Sequence, residues 1–253
     1  MPQGLSEQAY RAIREQILQG SFTLGSPISR RQLAAGMKMS ILPVSEAIQR
    51  LTQEGILESK PQVGTRIRIP TETDIRDRYV VREALESQAA RLFAERASMA
   101  ERRELRKLAE ELDELYEQRY ANPENATLVW KMNTAHVRLH MRISEASGSA
   151  ALCRLIESND VLFYNWMFDL VGEQPAVPAH FHSDLIAAVS STDVAGADEA
   201  MRAHIRYNLE ATIRSVRRIS AQAEDLWRLG RGGSQKPDKR THSRAGRKAL
   251  SSP

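Results

Sequence analysis

Four histidines in this sequence sit where imidazoles can act together. His136 and His140 are four residues apart, so on a helix they share one face, one turn from each other. They flank Leu128, Met132, Ala135, Leu139 and Ile143, whose helical spacing predicts an inward stripe. His182 precedes Leu185, Ile186 and Val189, and His204 stands among Met201, Ile205 and Leu209, two more inward stripes. Imidazoles four apart on one helix can share a metal ion, and two more from other helices would complete a buried shell. The competing reading is a set of hydrogen-bonded core histidines. An i, i+4 pair plus two further inward histidines favours the metal. Hydrolysis at such a metal usually needs a nearby general base. Val137, Arg138 and Leu139 separate the first pair, with no Glu in a His-Glu-x-x-His arrangement, so a metal-dependent hydrolase is only the alternative and no catalytic residue is expected.

The elements that must carry these side chains are mostly helical. From Thr71 onward, periodicity predicts helices over about 74–98, 100–120, 125–147, 149–171, 180–190 and 193–229. Asn122-Pro123, Gly148 and the stretch 172–178 separate them. After Gly230 large apolar residues almost vanish, which predicts a disordered basic tail over 230–253. The expected division is 1–70, 71–229 and 230–253. Charge follows it, at net +4, −6 and +6 in a 253-residue chain of net +4. A basic head and tail around an acidic body suggest that only part of the chain meets a polyanion. No apolar run is long enough for a membrane span, and no apolar h-region opens the chain. The lone Cys153 leaves no disulfide framework or cysteine-based zinc cluster, so a cytoplasmic protein is the expectation.

The head reads as three short helices and a hairpin. Ala9, Ile13 and Ile17 recur every four residues after Ser6, a candidate cap, and Gly20 can end the first helix. Phe22 to Ile28 reads as a turn. Ser29-x-x-Gln32 opens a second helix that Gly36 ends. Ser40 can cap a third, with Pro43 in its first turn, a buried stripe of Val44, Ala47, Ile48 and Leu51, and Gly55 at its end. Two short strands follow around Pro61 and Gly64, and in the second Arg66 and Arg68 alternate with Ile67 and Ile69. This is the layout of a winged helix-turn-helix, whose last helix enters the DNA major groove.

The residues Tyr10-x-x-Ile13-Arg14, Leu24-Gly25, Ser29-x-Arg31-x-Leu33-Ala34 and Ser40-x-x-Pro43-Val44-x-Glu46-Ala47-Ile48, ending at the wing glycine Gly64, resemble the GntR family of bacterial transcriptional regulators. The body resembles the FCD domain of the FadR-like branch, through Val81-Arg82-Glu83-x-Leu85-Glu86, Leu139-His140-x-x-Ile143-x-x-Ala146-Ser147-Gly148, His182 and Ala200-Met201-x-x-His204. The resemblance implies a mainly α protein, with a winged helix-turn-helix and small β wing before an all-α antiparallel bundle, acting as a homodimer on a double-stranded operator. It implies DNA contacts from Arg31, Lys38, Ser40, Ile41, Ser45, Gly64, Arg66 and Arg68. Family arginines are absent at Ile41 and Ser45; Ile41 can meet a thymine methyl and Ser45 a base or phosphate. Many such bodies hold a divalent metal through one Asp and three His. His140, His182 and His204 take the histidine places, and His136 stands in the place of the Asp. An all-imidazole site favours zinc or nickel. Arg82 matches an arginine facing the effector pocket, though an interhelical salt bridge would suit it nearly as well. The function this predicts is regulation of transcription by a small carboxylate metabolite, the other alternative being effector-independent DNA binding with a structural metal.

Overall fold

The computed structural model describes residues 4–19, 21–60, 64–123, 125–158 and 176–231. The head runs α1 (Leu5–Leu18), β1 (Pro27–Ile28), α2 (Arg30–Gly36), α3 (Ile41–Gln53), β2 (Leu57–Lys60) and β3 (Gly64–Ile67). The body follows as α4 (Glu72–Arg96), α5 (Met99–Ala121), α6 (Ala126–Ala146), α7 (Ala150–Ser158), α8 (Phe181–Val189), α9 (Val194–Arg206) and α10 (Leu209–Arg231). The fold is therefore mainly helical, with a winged helix-turn-helix ahead of a helical bundle. Among the described residues no helix is long and apolar enough to cross a membrane. The tail beyond Arg231 and the larger part of the helix expected over 149–171 lie outside the described residues.

The head closes on the periodic residues: Ala9, Ile13 and Ile17 of α1, Leu33 and Ala34 of α2, and Val44, Ala47, Ile48 and Leu51 of α3 are all buried. Several local expectations are corrected. Gly4, not Ser6, precedes α1, and the Ser6 hydroxyl donates instead to Glu46 of α3. Ser29 does cap α2 through the Gln32 amide, whereas Ser40 precedes α3 without a side-chain cap. The stretch expected as a turn contains β1, which pairs antiparallel with β3, so the wing is a three-stranded sheet of order β1-β3-β2. Two residues are too few to show an alternating pattern, and only the long-range partner makes this segment a strand.

The turn between α2 and α3 is also made differently. Gly36 is the last residue of α2, and the left-handed residue is Lys38, at φ 54°. The Lys38 amide donates to the Ala35 carbonyl and the Met39 amide to the Ala34 carbonyl, the two bonds of a Schellman motif. Glycine usually fills the left-handed place because a Cβ crowds the following carbonyl.

In the body, α4 is the central helix, packed against α6, α7, α8, α9 and α10, while α5 packs on α6 and α8. A reciprocal Thr71–Asp74 capping box starts α4, and Ser98–Glu101 starts α5 in the same way. The single helix expected over 193–229 is two, broken at Tyr207–Asn208. Both are weak helix formers, but the apolar stripe runs on through Ile213 and Val216, so periodicity conceals the break.

Two substitutions test the turn. A Cβ at Gly36 would meet nothing within 4 Å, so Gly36→Ala is expected to stabilise the protein by about 0.5–1 kcal/mol. Lys38→Gly is expected to stabilise it by up to about 1 kcal/mol by relieving the left-handed Cβ. Urea unfolding midpoints check both; a fall in the midpoint for Lys38→Gly would show that the turn carries no such strain.

Candidate functional site

Three helices deliver the four histidines to one buried place. His136 and His140 come from α6, His182 from the first turn of α8 and His204 from the last turn of α9. All four are buried, His182 completely. The Nε2 atom of His140 lies 3.0 Å from that of His136 and 3.2 Å from that of His204. His136, His182 and His204 each bring a ring nitrogen within 4.8 Å of the other two.

Carboxylates behind two of the rings set their tautomers. Glu86 Oε2 is 2.5 Å from His140 Nδ1, so the proton of that ring belongs on Nδ1 and the Nε2 lone pair faces the cluster. Asp113 Oδ1 is 2.7 Å from His182 Nδ1, which leaves His182 Nε2 a lone pair; that atom is buried without a hydrogen-bond partner. The Tyr116 hydroxyl is 3.3 Å from His136 Nδ1, and Phe181 stacks on His204 with ring centroids 4.6 Å apart.

Asp113 does more than orient one ring. The residue ahead of α8, His180, is exposed, left-handed at φ 62°, and offers no side-chain cap. Asp113, from α5, caps this helix instead. Its Oδ1 accepts from the His182 amide at 3.0 Å, and its Oδ2 accepts from the Ser183 amide at 3.0 Å and the Ser183 hydroxyl at 2.7 Å. A carboxylate at a helix N-terminus is favoured by the orphan amides and the helix dipole. Burial opposes ionisation of Asp113, but the hydrogen bonds from His182 and Ser183 outweigh it and hold its carboxyl down at about 2.

Glu86 sits deeper. Arg82 Nε donates to Glu86 Oε1 at 2.6 Å, within α4, and both side chains are nearly inaccessible. Burial raises the cost of charge on Glu86, yet Arg82 and His140 together hold it ionised, with its pKa lowered to about 2. Burial drives His136 and His204 well below the ordinary imidazole range, and neighbouring histidines and Arg82 add to it. Burial also lowers His182, against the pull of Asp113. Neutral imidazoles with converging lone pairs are the form that ligates metal. Around an ion bound at about 2.0–2.1 Å, tetrahedral nitrogens lie about 3.3–3.4 Å apart, close to the separations seen from His140. The donor set and the unpartnered His182 Nε2 therefore fit a divalent ion.

Neither Glu86 nor Asp113 stood out in the sequence as a functional residue. The available signal was an acidic residue on an inward stripe: Glu86 follows Tyr79 and Arg82 in the buried series of α4, and Asp113 adjoins Leu112 three residues before Tyr116. Arg82 is in an ion pair, but within its own helix rather than between helices.

The residues expected to face DNA fall into two groups. Arg31 and Lys38 are exposed on α2 and the turn after it, with no side-chain hydrogen bond or ion pair among the described residues. Ser40, Ile41 and Gly64 are exposed, and Ser45 is half-buried. Arg66 instead binds Glu58 across the β2–β3 pair, and Arg68 binds Asp74 at 2.7 Å in the α4 cap. Each would have to leave a carboxylate to reach a phosphate.

The Arg82–Glu86 pair generates a stability prediction. Arg82→Met leaves Glu86 buried with only His140 to compensate it, and is expected to cost about 3–5 kcal/mol. Equilibrium denaturation measures this; a loss under about 1 kcal/mol would show that His140 alone supports the carboxylate.

Residues 5–67 match the bacterial regulatory proteins of the gntR family, and residues 77–207 match the FCD domain. The Probable D-xylose utilization operon transcriptional repressor of Paenarthrobacter nicotinovorans is 29% identical over 83% of this chain and 89% of its own length. The Nta operon transcriptional regulator of Aminobacter aminovorans is 28% identical over 78% and 89%. Among solved structures, E. coli McbR/YncC shares the fold at TM-score 0.66 and 21% identity, covering 84% of this chain and 98% of that one. A GntR regulator from Rhodococcus sp. RHA1 does so at TM-score 0.60 and 20% identity, over 83% and 96%. The relatives are transcriptional regulators rather than enzymes, and this chain belongs with them: it is a GntR-family transcriptional regulator with an FCD domain.

Proposed function

We propose that this regulator works in the cytoplasm as a homodimer on a two-half-site operator, and that its operator affinity answers to a small carboxylate held at a divalent metal centre in the FCD domain. The observation that carries the reading is the convergence of His136, His140, His182 and His204 around the unpartnered His182 Nε2. These four would hold the ion, zinc or nickel in keeping with nitrogen ligands. A bound divalent ion supplies a Lewis-acidic position for a carboxylate oxygen. Asp113 and Glu86, each against an Nδ1 atom, keep two of the rings aimed with Nε2 toward the cluster.

The charge balance supports an anionic effector. Sequence alone left the ion's two charges uncompensated among four neutral imidazoles. Glu86 and Asp113 return two negative charges just behind the ligands, and Arg82 restores one positive charge. The loaded site would be net positive by one, in an interior where residual charge is costly, and an anion would relieve it. Arg82 would draw the carboxylate electrostatically. Names of relatives tie two of them to single operons, in keeping with control of a metabolic operon. In the head, Arg31 and Lys38 would clamp phosphates, Ser40, Ile41 and Ser45 would meet bases, and the wing at Gly64, Arg66 and Arg68 would reach an adjacent groove.

Native mass spectrometry of freshly purified protein tests metal, metabolite and dimer together. His136→Asp is expected to keep the metal but weaken carboxylate binding and move metal preference toward manganese; unchanged preference with unchanged or tighter carboxylate binding would remove His136 from the ligand set. Asp113→Asn is expected to cost 10- to 100-fold in metal affinity, read by chelator competition. On DNA, Arg31→Ala is expected to flatten the log–log salt slope by about 0.9, and Arg68→Ala by less, because Arg68 already holds Asp74. Equal slopes for wild type and Arg31→Ala would remove Arg31 from the phosphate contacts.

A further inference from the structure

We infer that Ile41 and Leu42, the first two residues of α3, read thymine methyl groups in the operator, so that this regulator recognises a major-groove pattern of methyls rather than guanines. The inference rests on the family's DNA-binding role and goes further, naming the chemistry of base readout.

In a helix-turn-helix the N-terminal end of the second helix meets the base edges. Here that end is apolar and open to solvent: Ile41 is 51% exposed and Leu42 68%, whereas Val44, Ala47, Ile48 and Leu51 on the opposite side form the core. The outward face of α3 offers no uncommitted cation. Its one basic residue, Arg50, binds Glu7 at 2.8 Å and Glu54 at 3.1 Å and lies over the Tyr10 ring. Its one acidic residue, Glu46, accepts from Ser6. Guanine is read in the major groove through bidentate bonds from Arg or Lys, and α3 has neither to give at its leading end. Thymine alone presents a methyl group there, and apolar side chains recognise it. Two adjacent branched aliphatics on the leading turn, with unpaired Arg31 and Lys38 close by in sequence to engage phosphates, suit that surface. Covering a methyl with either side chain removes apolar area from water on both partners.

The test uses the full-length protein and operators selected from a random duplex pool. Each thymine of the selected half-site is replaced in turn by uracil, which keeps every hydrogen-bonding group and lacks only the methyl. At one or two positions per half-site, the wild type is expected to lose about fourfold in affinity, the value of burying one methyl. In Ile41→Ala or Leu42→Ala the same replacement is expected to become neutral, because the side chain that covered the methyl is gone. Both residues are exposed, so both variants should fold. Met99→Ala, an equally exposed apolar residue outside the head, is expected to retain the full uracil penalty. Uracil tolerated at every position, or a penalty that survives in both alanine variants, overturns the inference while leaving operator binding intact. Alanine variants that change the oligomeric state but not the uracil penalty would assign the pair to a protein interface, and also overturn it. Failure to enrich any sequence would overturn the operator reading and this inference with it.

Discussion

Four imidazoles buried together are costly unless polar groups behind them orient the rings and compensate their desolvation. That requirement organises the body of this protein. Two carboxylates from different helices, Glu86 of α4 and Asp113 of α5, take the outward Nδ1 atoms of His140 and His182. Each then needs support of its own. Glu86 has Arg82 one turn earlier on the same helix, and Asp113 has the amides that open α8. The bundle is thus held by a chain of polar contacts as well as by its apolar stripes. A half-satisfied network in this position would cost more than an apolar core, which is why the second layer is as specific as the first.

The same arrangement links ligand chemistry to helix geometry. The start of α8 is capped by a residue of α5, and the imidazole two residues into that helix faces the cluster. Phe181, stacked on His204, also meets Tyr207, whose hydroxyl donates to the Ala176 carbonyl, while the Tyr120 hydroxyl accepts from the Val177 amide. Were His182 or His204 to shift, these contacts would carry the change to the ends of α8 and α9 and to the segment leading into α8. Both helices pack on α4, whose first turn is joined to the wing through Arg68 and Asp74. A ligand that bound two arrangements of these contacts unequally would change the population of each, which is all that control of a distant DNA-reading helix requires.

The head shows the opposite economy. Its core is apolar, and many of its charged residues are paired, within the head as Glu7 with Arg11 and Arg50 and Glu58 with Arg66, or to the body as Arg68 with Asp74 of α4. A net charge of +4 over residues 1–70 suggested a broadly basic surface, but pairing leaves the available cations near α2. Net charge sums over residues, whereas attraction to a phosphate depends on which of them keep a free face.

Local pattern was enough to place most helices, the winged head and the histidines on inward stripes, because a helical face is written every three to four residues and a cap lies within one turn of what it caps. It did not reveal β1, whose partner lies some 39 residues on, nor the break at Tyr207, nor that Lys38 rather than Gly36 takes the left-handed turn. Above all it could not supply Glu86 and Asp113. His182 and Asp113 are 69 residues apart, and His140 and His204 are 64 apart. What sequence determined was which side chains face inward; tertiary structure decided which of them meet, because distances across a bundle depend on how helices pack and not on spacing along any one of them.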